Sequence, residues 1–164
     1  MAKGNIEIIK NAGPTLQYRV DDRTTSSATA TIKQGEPVKV SGNFVVLVAT
    51  AEPTNAAPML GIAANESTET STVDGVVDVT GIIPGSTVLR AKVTTPGNMD
   101  TDAELLGILN DTVTFTLSNG EFTVNEDEGT DPNVHGLEII GGNIDKGTVD
   151  FMVRSYAIEQ GSST

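Results

Sequence analysis

The chain has 164 residues, enough for one folded domain that buries roughly 70% of its extended surface, and it has no cysteine, which excludes disulfides, thiolate nucleophiles and cysteine-held zinc. Its formal charge is −12, divided as +2 over residues 1–50 and −14 over residues 51–164, so an acidic body without a basic stripe argues against nucleic acid as a partner. No stretch reaches the roughly 20 apolar residues of a membrane span, and the start lacks a secretory apolar run; a cytoplasmically made protein with no membrane partner is expected.

In chain order, residues 1–25 are expected to form an N-terminal arm. An apolar cluster, Ile6, Ile8 and Ile9, is accompanied by Lys3, Lys10, Arg19 and Arg23, and an extended Leu16–Val20 segment contains Tyr18. Apolar residues ahead of the main core must be covered by something. They either dock on a neighbouring subunit or shell, or add an ordinary strand to their own domain. The first alternative makes these eight residues the expected contact set, and such an arm would be dispensable for the fold of the body. The Ser/Thr-rich stretch up to Thr31 reads as a polar linker or edge strand.

A β-rich domain is expected over 26–160. Short β-branched runs recur between turn signals, with candidate strands at 38–40, 44–49, 59–63, 76–80 and 88–93, in the manner of a sandwich or barrel. Ser41-Gly42-Asn43 and Pro84-Gly85 are turns, and Glu66–Val73 is an exposed loop or edge strand. Thr101 and Glu104 form a capping-box pair ahead of Leu105, Leu106, Ile108 and Leu109, which predicts one helix of two or three turns near 102–109. The alternation around Val113, Phe115 and Leu117, followed by Asn119-Gly120, predicts a type I′ hairpin. Runs at 137–140 and 148–157 predict two final strands, with Gly141-Gly142 read as a turn and 161–164 as a frayed tail.

Candidate chemistry is sparse. His135 is the only histidine and lacks a neighbouring nucleophile motif, so a structural role is expected. The acidic run Asn125–Asp131 offers oxygen ligands, but Gly129 does not fall at the sixth position of an EF-hand register, which favours a solvated loop over a cation site. Sugar-binding platforms would need aromatic faces, and the chain has no Trp and only Tyr18 and Tyr156. Neither Gly81–Gly85 nor Gly141-Gly142 makes a phosphate loop. No cofactor, metal or enzymatic activity is expected.

Four stretches, Thr31–Val40, Phe44–Ala49, Met59–Ala64 and Ser86–Val93, resemble the small capsid decoration, or head-stabilisation, proteins of tailed bacteriophages. The resemblance covers residues 30 to 95. It implies a small β-barrel or β-tulip preceded by an N-terminal arm, no catalysis, and attachment to the outside of a mature icosahedral shell. The implied partners are the major capsid protein and copies of itself, as a homotrimer at local threefold axes, and the implied location is the virion surface. The segment containing the expected helix and the Asn119-Gly120 hairpin extends past the matched part. Other readings are a tail-tube or head-fibre subunit, or a β-rich ligand-binding or adhesion module.

Overall fold

A computed structural model describes residues 6–21, 31–70 and 72–159. Lys3, Arg23 and the expected tail 161–164 lie outside the described residues. The fold is all-β with one short helix, and among the described residues no helix is long and apolar enough to cross a membrane.

The first sheet is built from β2 (Ala12–Val20), β3 (Pro37–Ser41), β4 (Phe44–Leu47), β5 (Gly61–Ala63) and β6 (Gly75–Ile82), in the order β2-β6-β5-β3-β4, all antiparallel. Alternation decides which face is apolar. Val20, Val38, Val45, Ala63, Val77 and Val79 point to one side and, with Ile32, form a buried cluster against which Tyr18, Leu47 and Leu60 pack. The sheet curls around this cluster until its two edge strands approach, and the Arg19 guanidinium of β2 lies 5.7 Å from the centre of the Phe44 ring of β4. The turn between β3 and β4 contains Gly42 at φ 60, as the Ser41-Gly42-Asn43 signal predicts.

The second sheet has the order β1-β7-β12-β11-β8, from β1 (Glu7–Lys10), β7 (Val88–Lys92), β8 (Thr112–Val113), β11 (Leu137–Asn143) and β12 (Thr148–Val153). A hairpin of β9 (Phe115–Ser118) and β10 (Glu121–Val124) folds across it. Both central residues of its turn have positive φ, 51 at Asn119 and 77 at Gly120, as a type I′ turn requires. Phe115 packs edge-on against Phe122 and Phe151, with ring centres 6.0 and 5.7 Å apart. Around these rings sit Leu89, Val113, Leu137, Ile139, Val149 and Val153, all buried.

Residues 6–20, expected above as an arm, are strands of the body. β1 pairs with β7 in the second sheet and β2 pairs with β6 in the first, so this ribbon runs antiparallel to β6 and β7 in turn, past the Pro84-Gly85 turn between them, and ties the two sheets together. The join is held at Asn11, which adopts φ 54. Thr87 Oγ1 donates to the Asn11 carbonyl at 2.6 Å and accepts from Ile83 N at 2.8 Å. The physical reason is burial: Ile6 is 5% exposed in the second core and Val20 is fully enclosed in the first. Each contributes about 1.5–3 kcal/mol by leaving water, which a projecting arm would forgo.

Three further differences from the sequence reading have local causes. Gly141-Gly142 lies inside β11, just past a bulge, paired with β12, and a Cβ on Gly142 would come within 2.8 Å of the Thr148 backbone carbonyl and 3.0 Å of Leu105 Cδ1 on α1 (Asp102–Ile108). The last strand stops at Val153 and Ser155–Ala157 forms a 3₁₀ turn, which lets the Tyr156 hydroxyl reach the carbonyls of His135 at 2.6 Å and Pro132 at 2.9 Å. Ser67 and Glu69 are buried rather than exposed, since the segment after Asn65 folds beside β6 and Ser67 accepts from Ile32 N at 2.9 Å through its side chain. The Thr101–Glu104 capping box forms as expected, although Leu106 on the helix remains 67% exposed.

Candidate functional site

The expected contact residues do not converge on one surface. Ile6 is in the core, Ile8 packs against it, and Ile9 is half-buried, whereas Lys10 is exposed at the end of β1. Tyr18 lines the inside of the curled sheet, and Arg19 points outward, where it pairs with Asp74 at 3.3 Å and stacks over Phe44. The described members of the set are divided between two sheets: Ile6, Ile8 and Tyr18 pack on buried residues, while Lys10 and Arg19 are exposed.

The acidic run is more structured than a solvated loop. Glu126 is 4% exposed and its two carboxylate oxygens accept from Thr94 N at 2.8 Å and Thr95 N at 2.9 Å, where β7 has ended. Burial pushes the Glu126 carboxyl up, and these backbone donors pull it partly back. Glu128 Oε2 accepts from both the amide and the hydroxyl of Thr114 at 2.7 Å. Thr130 Oγ1 accepts from Thr112 N at 3.0 Å, so side chains from the acidic run satisfy amides along the outer edge of β8, where another strand would otherwise pair.

His135 completes this strap. Its Nδ1 lies 3.0 Å from the Thr112 carbonyl, to which it can only donate, and Nε2 is 3.6 Å from Glu128 Oε1. A nucleophile–base–orienter chain would need a hydroxyl or thiol on the ring, and the ring instead faces a carbonyl and a carboxylate that is already holding Thr114. The arrangement secures a loop. Among the described residues, no three His, Asp or Glu side chains gather in a way that could hold a metal ion.

Two of the surface grooves bear on the expected contact residues. The larger, about 510 Å³, lies between the free edge of β1 and strands β5 and β6, with Ile6, Ile8, Ile62 and Thr80 on its walls; Glu7 is the one ionisable residue among those lining it. Glu7 stands opposite Arg90 across the strands, and Arg90 in turn holds Asp150 bidentately at 2.7 and 3.1 Å. That is a surface charge ladder without an acid–base pair poised over the groove.

The second groove, about 210 Å³, opens at one end of the curled sheet between Leu16, Tyr18, Leu60, Val79 and Ile158, with Glu159 at its rim. Leu16 is registered with Val79 and therefore faces inward, yet it is 55% exposed. The sequence reading did not single out Leu16 or Ile158. The period-2 alternation of Leu16, Tyr18 and Val20 marks an inward face, but the openness of that end arises only from how five strands curl. No family model, no curated protein and no solved structure matches the chain.

Proposed function

We propose that this chain is a non-enzymatic structural protein of a bacteriophage virion, which binds the outside of the capsid and stabilises it, as a trimer at local threefold axes on the major capsid protein. The observation that carries this reading is the resemblance over residues 30 to 95. The matched stretches 31–40, 44–49 and 59–64 fall on β3, β4 and β5, three adjacent strands of the curled sheet, and 86–93 falls on β7. The all-β fold, the edges closed by carboxylates and the strongly negative charge suit a subunit that must stay dispersed until it meets a shell. Reinforcement then comes from many weak contacts repeated by symmetry, with no catalytic step required.

The test is co-sedimentation. Purified protein is mixed with expanded phage capsids that lack their decoration protein, and bound stoichiometry and resistance to heat-induced rupture are measured. Saturable binding in multiples of three per threefold position, with a raised rupture temperature, is the expected result. Absence of binding to any mature shell of the phage that encodes the chain overturns the reading.

A further inference from the structure

We infer that the open edge of β1 is a docking site for an extended segment of a different protein, which adds a strand to the second sheet and sets a lysine or arginine opposite Glu7. The inference goes beyond the capsid reading and does not depend on which protein supplies the segment.

Four edges bound the two large sheets. β2 and β4 approach each other where the first sheet curls, and the edge of β8 is closed by Glu128 and Thr130. The edge of β1 is left. Its Ile6 N–H donates to the Gly35 carbonyl at 3.2 Å and so points away from β7, the strand with which β1 pairs. Backbone groups of an antiparallel strand alternate between its two sides, so the N–H and carbonyl of Ile8 also point away from β7. Among the described residues neither has a hydrogen-bond partner on that side. Both open into the groove of about 510 Å³ walled by Ile6, Ile8, Ile62, Gln34 and Thr80. An unpaired edge beside such a groove is a template for an extended chain, whose backbone supplies the missing partners while the groove reads its side chains. A docked helix has spent its own backbone groups and leaves the edge unsatisfied.

Charge selects the segment. Glu7 is registered with Arg90 and Arg90 with Asp150, so a ladder of alternating sign runs across β1, β7 and β12. Arg90 grips Asp150 bidentately at 2.7 and 3.1 Å, and among the described residues Glu7 makes no ion pair of its own. Lys10, the other charged residue near that end, is registered with Val88 and stands apart from the ladder. Opposite charges directly across neighbouring strands attract and like charges repel, so a strand added beside β1 continues the ladder with a cation. A second copy does not meet this condition. Its own open edge presents Glu7 again, and each copy is formally −12.

The experiment has two parts. Amide hydrogen exchange on the free protein, read residue by residue by nuclear magnetic resonance, is expected to show Ile8 exchanging at least about tenfold faster than Glu7, whose N–H lies in the ladder with β7; equal protection means that the edge is already covered and overturns the inference. Binding is then measured for capped nonapeptides in which Val alternates with Thr and the central polar position holds Lys, Ser or Glu. The Lys peptide is expected to bind with a Kd below about 1 mM and at least about tenfold more tightly than the Glu peptide. Ile8→Pro removes the outward N–H without touching the ladder to β7 and should weaken binding at least about tenfold, whereas Ile8→Ala, which keeps the N–H, should weaken it much less. Glu7→Lys should reverse the preference between the Lys and Glu peptides. Binding of none of the peptides, equal binding of the Lys and Glu peptides, or indifference to Ile8→Pro overturns the inference. Should Ile8→Pro fail to fold, exchange of the Ile8 amide in the presence of the Lys peptide is read instead: slowing supports the inference and unchanged exchange overturns it.

Discussion

Removing residues 1–20 is expected to unfold the protein, and the size of the effect follows from two edge strands lost together. Ile6 leaves the core of the second sheet and Val20 the core of the first, which at about 1.5–3 kcal/mol per side chain costs about 3–6 kcal/mol. β1 has three registered pairs with β7 and β2 has seven with β6, so at a net ~0.5–1.5 kcal/mol per hydrogen bond the ladders contribute several kcal/mol more. Domains of this size are stable by only about 5–15 kcal/mol. The loss therefore consumes most or all of the margin. Urea unfolding followed by near-ultraviolet and far-ultraviolet circular dichroism measures it directly. A shorter deletion of residues 1–11, which removes β1 alone, should leave a cooperative transition at a clearly lower midpoint. If the chain lacking 1–20 unfolds cooperatively within about 1 kcal/mol of the full chain, the ribbon is not integral and the arm reading returns.

Replacing Glu128 with Ala removes the acceptor of two Thr114 hydrogen bonds and the carboxylate facing His135; a loss of about 1.5–3 kcal/mol in urea unfolding is expected, and no change would mean the strap carries no stability. Replacing Glu69 with Leu should stabilise the protein by about 1–3 kcal/mol, because both carboxylate oxygens are buried and find no hydrogen-bond partner among the described residues; a lower unfolding midpoint would refute it. Burial raises the carboxyls of Glu36 and Glu126 above their ordinary value of 4.5. A raised carboxyl favours the folded state below its unfolded value and loses that contribution as pH rises through its folded value. A Glu36→Gln, Glu126→Gln double variant should therefore gain stability relative to the parent as pH goes from about 4 to about 7, and a difference independent of pH would contradict it.

Local chemistry in the sequence carried its structure faithfully where a few adjacent residues decide the outcome. Thr101 with Glu104 made the helix start, and Asn119-Gly120 made the hairpin turn. The same reading failed at Gly141-Gly142, where a glycine pair is a turn signal by local rules. The Thr148 carbonyl of the neighbouring strand, 2.8 Å from where a Cβ on Gly142 would stand, is what excludes a side chain there. It also failed over residues 6–20. An apolar cluster beside a proline and a glycine looks the same whether it reaches outward or threads along β6 and β7; only the existence of two strand edges to pair with, one in each sheet, decides between them. The roles of the acids were equally hidden, because a carboxylate that caps an amide 14 or 32 residues away has no sequence spacing of its own.

Those acids share one local role. Glu36 accepts from Lys33 N, Glu52 from Ala49 N, Glu126 from Thr94 and Thr95 N, and Glu128 from Thr114 N. In each case a carboxylate occupies backbone donors where a strand or turn would otherwise offer them to solvent or to another chain. Acidity here closes backbone donors as well as dispersing copies.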